Sequence, residues 1–166
     1  MKIRPYQPAD LSELHAINVA GEPGVGALSE AELAAILAEG QCFVAVNAED
    51  QPVGFLLLVA QGARYQSPNF LWFESRYAGQ SAAFIYVDRI AIAPSAQGLG
   101  LGAALYRIAF EACAGSWQCV CCEVNTLPPN PGSLRFHERL GFQTVGDKTF
   151  RPGEKSVVYL ERSLSP

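Results

Sequence analysis

The spacing of apolar residues alternates between a helical period and strand-length runs, and the switches divide the chain into elements. Residues 3–4 read as a short first strand. Pro8, Ala9 and Asp10 open a helix through about residue 20, with Leu11, Leu14, His15 and Ile17 at helical spacing. Ser29 is an N-cap with Glu32 as its capping-box partner, and Gly40 ends the helix that follows. Residues 42–46 and 52–60 are β-branched and aromatic and flank a polar turn, so they predict an antiparallel hairpin. Residues 84–92 form another apolar strand, stopped by Pro94. A helix is expected over about 98–113, with Leu101, Leu105, Ile108 and Ala112 on one face. A strand over 118–125, a helix over 131–140 ended by Gly141, and an antiparallel pair at 142–146 and 156–161 complete the chain. The pattern predicts an α+β fold, with a mixed, mostly antiparallel central sheet, flanking helices and one central βαβ crossover.

The 166 residues correspond to one domain, 1–166, and 49% hydrophobic against 17% charged residues excludes intrinsic disorder. A formal charge of -4 has the wrong sign for a protein that holds nucleic acid through phosphates. The longest apolar run, 53–60, is far short of the roughly 20 residues of a membrane span, and no signal-like run opens the chain, so the expected location is cytoplasmic, away from membranes. Cys119, Cys121 and Cys122 crowd into one buried strand and read as small core hydrophobes in a reducing compartment. A zinc site wants two well-spaced ligand pairs; with only His15 and His137 available, no metal is expected.

The chemistry concentrates where a strand runs into a glycine-rich helix start. Gln97, Gly98, Leu99, Gly100, Leu101 and Gly102 let backbone N–H groups approach an anion, and the first helical turn adds unpaired donors and the positive dipole end. Three alternating glycines each cost about 1 kcal/mol of helix propensity, so close packing alone explains them poorly. Gly98-x-Gly100-x-x-Ala103 also satisfies the dinucleotide fingerprint, with Glu123 downstream for a ribose hydroxyl. Against that, residues 94–97 separate the strand from the first glycine, and too little chain follows for a doubly wound sheet.

Gln97-x-x-Gly100-x-Gly102 after an apolar strand resembles the diphosphate-binding motif of the GCN5-related N-acetyltransferase (GNAT) superfamily. The stretch from Asn130 through Ser133 and His137 to Gly141-Phe142 is similar to that family's second signature. The order of elements matches through nearly the whole chain. The resemblance implies a splayed sheet with acetyl-CoA as acyl donor, wedged between strands 84–92 and 118–125. Backbone of Ile90, Ala91 and Ile92 would pair with the pantetheine, residues 97–102 would wrap the diphosphate, and Asn130 or Ser133 would add a polar contact.

An alkyl amine is protonated at pH 7, a handicap of roughly 4 kcal/mol that a base must remove. Glu123 is the first candidate and Asp88 the second, although Arg89 beside Asp88 offers it a plain ion pair. Asp88 shares a strand face with Tyr86 if no bulge intervenes. Where the family commonly places a Tyr that protonates the leaving thiolate, this chain has His137, which suits either an acid or a packed helix histidine. The aromatic segment 61–82 and the loop 147–155 are candidate walls of an acceptor pocket; the aromatic segment equally suits core packing or a homodimer contact. The reading is direct acetyl transfer to a primary amine, on a small molecule or a protein N-terminus, in a ternary complex. A non-catalytic coenzyme A-binding module and a dinucleotide-dependent oxidoreductase are the alternatives.

Overall fold

A computed structural model describes residues 1–165. In chain order the elements are β1 (Lys2–Pro5), α1 (Leu11–Gly21), α2 (Glu30–Glu39), β2 (Gln41–Val46), β3 (Pro52–Ala60), α3 (Pro68–Arg76), β4 (Phe84–Ile92), α4 (Leu101–Cys113), β5 (Cys119–Leu127), α5 (Pro131–Arg139), β6 (Gln143–Arg151) and β7 (Lys155–Ser163). The strands form one sheet in the order β1-β2-β3-β4-β5-β7-β6. Every neighbouring pair is antiparallel except β4 and β5. A parallel pair needs a crossover, and α4 supplies it. The mixed, mostly antiparallel sheet with flanking helices is the architecture that the hydrophobic pattern predicts. Among the described residues, no helix is long and apolar enough to cross a membrane.

Helices cover both faces of the sheet, which is why β3 is apolar at successive positions instead of alternating. Leu56 and Leu58 pack with Leu105, Tyr106 and Ala109 of α4. Phe55 and Leu57 point the other way, against Leu14 of α1 and Leu33 of α2. Farther along that second face, Phe70 and Phe73 of α3 close over Phe84, Tyr86 and Tyr159. The capping box of α2 is formed as its spacing dictates: Glu32 N–H donates to Ser29 Oγ (3.1 Å), and Ser29 N–H donates to the Glu32 carboxylate (2.8 Å).

Two expectations change. α4 starts at Leu101 and not near 98, because Gly98 and Gly100 take φ values of 78° and 77°, which no right-handed helix accommodates. The expected 147–155 loop is largely strand, since β6 runs to Arg151 and the hairpin turns tightly through Gly153. The 61–82 segment contains α3, whose Phe70 and Phe73 are fully buried, so part of this aromatic stretch is core, in line with the core-packing alternative.

The sheet also opens. Pairing of β4 with β5 ends at Tyr86 opposite Cys121. Beyond that point β4 stays with β3 as far as Ile92 opposite Gly54, and β5 stays with β7 as far as Leu127 opposite Ser156. Two adjacent strands therefore diverge from a shared root, and each leaves one backbone edge facing the gap.

Candidate active site

At the far end of β4 the chain makes one 3-10 turn over Pro94–Ala96 and then the glycine loop. The first intrahelical hydrogen bond of α4 runs from Ala104 N–H to the Gly100 carbonyl (3.1 Å), so the N–H groups of Leu101, Gly102 and Ala103 have no partner within the helix. A Cβ built on Gly98 or Gly100 meets nothing within 4 Å, which leaves open space above the loop. Gly102 differs: a Cβ there lies 3.1 Å from the Phe136 ring, so this glycine lets α4 and α5 approach. Gln97 turns its side chain back and donates Nε2–H to the Ile92 carbonyl (3.2 Å), bracing the loop against the strand end. A depression of about 450 Å³ here is lined by Ile92, Gln97, Gly98, Gly100, Phe136 and Arg139 among others. An open loop, free amides and one guanidinium make a cradle of the right chemistry for a diphosphate.

A second cavity of about 520 Å³ lies in the β4–β5 opening and brings Glu123, Asp88 and His137 to one space. Glu123 sits on β5 just past the last β4–β5 pair. Its Oε2 accepts the Tyr86 O–H (2.5 Å), and Asn69 of α3 lines the same cavity. Burial is the main cause that pushes its carboxyl up to about pKa 7; the Tyr86 hydrogen bond opposes this, and the Asp88 charge reinforces it.

Asp88 reaches the cavity through a β-bulge. Leu57 pairs with Arg89 and Leu58 with Val87, leaving Asp88 with no opposite residue. The alternation of faces reverses across it, so Tyr86 packs on the α3 side before the bulge and Ala91 on the α1/α2 side after it. The Asp88 carboxylate accepts the Tyr65 hydroxyl and pairs with Arg89 Nε (2.7 Å), both side chains being nearly buried. Arg89 in turn donates to Asn18 Oδ1 (2.8 Å) and to the Gly26 carbonyl (3.0 Å). The anticipated local ion pair therefore exists and is tied to the α1–α2 connection.

His137 is buried on α5. Its Nδ1 lies 2.7 Å from the Ser133 carbonyl, which can only accept, so the hydrogen-bond network assigns the proton to Nδ1. Nε2 then accepts the Tyr106 O–H (2.8 Å) from α4. Burial holds the imidazole below its usual pKa against the raising effect of the Ser133 carbonyl. Ser133 N–H is held by Asn130 Oδ1 (3.3 Å), so Asn130 caps α5.

Sequence reasoning does not single out Asn69, Tyr106 or Arg139 as site residues. Tyr106 reads as one more apolar position of α4, and Asn69 as one polar position within the aromatic stretch. Tyr65, Ser67 and Asn69 line the cavity while Phe70 and Phe73 fill the core, so the aromatic segment serves as both wall and packing. Arg151, Glu154 and Lys155 at the tip of the β6–β7 hairpin form another side.

The sequence model of the acetyltransferase (GNAT) family matches residues 12–142. Among curated protein sequences the chain has no match. Its structure is similar to that of Ard1 from Thermoplasma volcanium (TM-score 0.76, 16% identity, covering 99% of this chain and 98% of that one). It is also similar to the ribosomal-protein-S18-alanine N-acetyltransferase from Escherichia coli (0.74, 16%, 99% and 94%). A third match is a GNAT superfamily phosphinothricin acetyltransferase from Sinorhizobium meliloti in complex with AcCoA (0.69, 21%, 98% and 87%). At these identities the likeness establishes the fold.

Proposed function

We propose that this chain, which belongs to the acetyltransferase (GNAT) family, moves an acetyl group from acetyl-CoA directly to a primary amine with Glu123 as the base. The observation that carries this reading is the place of the Glu123 carboxyl, which lines the opening between β4 and β5 and accepts the Tyr86 hydroxyl (2.5 Å), with burial pushing it up to about pKa 7. A base poised near the working pH combines a useful ionised fraction with enough basicity to take a proton from an ammonium. Burial raises the Glu123 carboxyl, and the Tyr86 hydroxyl opposes this by stabilising the ionised form.

The cradle fits a coenzyme A diphosphate. Backbone of Ile90, Ala91 and Ile92 on the free edge of β4 would hold the pantetheine, the amides from Gln97 through Gly98, Leu99, Gly100, Leu101 and Gly102 with Arg139 would hold the diphosphate, and Asn130 or Ser133 the arm. Bound there, acetyl-CoA supplies an activated acyl carbon and a thiol leaving group. Asp88 positions rather than abstracts: it is committed to Arg89 and Tyr65, and its charge keeps the Glu123 carboxyl basic. Tyr106 donates its hydroxyl proton to His137 Nε2 (2.8 Å), so His137 orients the Tyr106 oxygen, and the pair lines the cavity into which the thiolate would depart.

The acceptor class is a primary amine on a small molecule or a protein N-terminus. The names of the structural neighbours span both, from phosphinothricin to a ribosomal-protein alanine. Thiol release from acetyl-CoA against a panel of peptide N-termini, polyamines and amino acids tests the reading. Amine-dependent release that rises with pH through about 7 is the expected result. Coenzyme A binding without amine-dependent release at any pH would instead favour a non-catalytic binding module, the reading suggested by two fully bonded nitrogens on His137.

A further inference from the structure

On the α3 face of the sheet, two strand positions before Glu123, lies a cluster that acetyl transfer does not use. Cys119 and Cys121 project from the same face of β5, and Glu161 stands directly opposite Cys121 on β7. The two sulfurs are 3.7 Å apart, and the two Sγ atoms and a Glu161 carboxylate oxygen all lie within 4.8 Å of one another. Both cysteines are buried, and the Glu161 side chain is about a quarter exposed. We propose that Cys119, Cys121 and Glu161 form a structural site for a thiophilic divalent cation of the zinc type.

The sulfur separation carries the argument. Tetrahedral zinc with bonds of about 2.3 Å to sulfur sets its thiolates about 3.8 Å apart, so these two need no rearrangement to share an ion. A disulfide is the poorer use of the pair, because alternate strand residues put their Cα atoms about 6.7 Å apart, at the far edge of disulfide geometry. Charge also balances. Two thiolates and a carboxylate beside the Arg76 guanidinium, 3.6 Å from Glu161 Oε2, sum to minus two, which a divalent cation cancels. Tyr77 and Arg76 both contact Oε2 and leave Oε1 to the ion. A water completes four-coordination. Through Arg76 and Tyr77 on Glu161, an ion here ties the C-terminal end of α3 to β5 and β7, and α3 carries Asn69, which lines the cavity with Glu123.

The test is titration of the reduced, metal-free full chain with Co²⁺, then displacement by Zn²⁺. One equivalent of Co²⁺ with a thiolate charge-transfer band and a tetrahedral visible spectrum is expected. Cys119→Ser and Cys121→Ser should each abolish the band, and Glu161→Gln should weaken binding about tenfold or more. X-ray absorption of the wild-type chain with one equivalent of Zn²⁺ needs no variant to fold, and two sulfurs at about 2.3 Å are expected. A shell of nitrogen and oxygen alone, or a Co²⁺ spectrum unchanged in the Cys119→Ser/Cys121→Ser double variant, overturns the site.

Discussion

The two ends of the β4–β5 opening are built in opposite ways. At the α4 end, one continuous stretch through Gly98 and Gly100 makes the cradle from main-chain amides, and the side chains matter chiefly by being absent. At the Glu123 end, the hydroxyls, carboxylates and imidazole come from α3, α4, α5, β4, β5 and the segment before α3, and each is held by a residue distant in sequence. A site made of backbone is written locally and tolerates almost any neighbour, whereas a site made of side chains exists only after the sheet and helices have assembled around it.

The largest effect should fall at the second end. Glu123→Gln is expected to lower kcat by about 10²- to 10⁴-fold with acetyl-CoA affinity unchanged, measured by steady-state thiol release and calorimetry; a loss under about tenfold removes Glu123 as the base. The same variant should gain stability at high pH. The folded carboxyl has a raised pKa, so the wild type loses stability as pH climbs from the ordinary carboxylate range to about 7, while glutamine does not. Chemical denaturation above pH 7 should favour the variant by up to about 3 kcal/mol. Gly100→Val strikes the other end. It forces a β-branched residue to a φ of 77° and fills the open space above the loop, so coenzyme A should bind about 10- to 100-fold more weakly with saturated kcat little changed. If Gly100→Val lowers kcat instead of affinity, the division between the two ends fails.

The same division governs what the sequence reveals. The strand, glycine loop and helix succession is legible because periodicity, Pro94 and the glycines act within a few residues. Periodicity places the start of α4 three residues too early because Gly98 and Gly100 look like helix in sequence and act as left-handed turns in the chain. Glu123 and Asp88 could be nominated from their strands. Whether either is poised could not, because the pKa of Glu123 depends on Tyr86, Asn69 and Asp88 converging after folding. The Asp88 bulge is invisible locally, since it is defined by which β3 residue lies opposite. Cys119 and Cys121 read as core and are buried in it, whereas the nearness of Glu161 is invisible locally because β7 supplies it.

A smaller effect separates unit from parts within the chemical end. Tyr106→Phe and His137→Phe should each lower kcat about tenfold, because either deletion breaks the single 2.8 Å hydrogen bond that orders both groups. The double variant should be no worse than the poorer single one, the signature of residues acting together. Additive losses in stopped-flow thiol release would mean two independent roles.

The subtlest change reads the tuning of Glu123 directly. The Asp88 charge raises its pKa and the Tyr86 hydrogen bond lowers it, so the two neighbours pull in opposite directions. Asp88→Asn should therefore move the acid limb of the kcat/KM profile down in pH, and Tyr86→Phe should move it up, each by about half to one pH unit. Asp88→Asn leaves Arg89 to Asn18 and the Gly26 carbonyl, at a cost of about 3 kcal/mol in stability that does not enter the profile of the folded enzyme. A merely structural role for either residue would lower amplitude and leave the limb in place. Shifts of opposite sign require that the ionisation seen in the profile belongs to the carboxyl between them, whereas shifts of the same sign would assign that limb to another group.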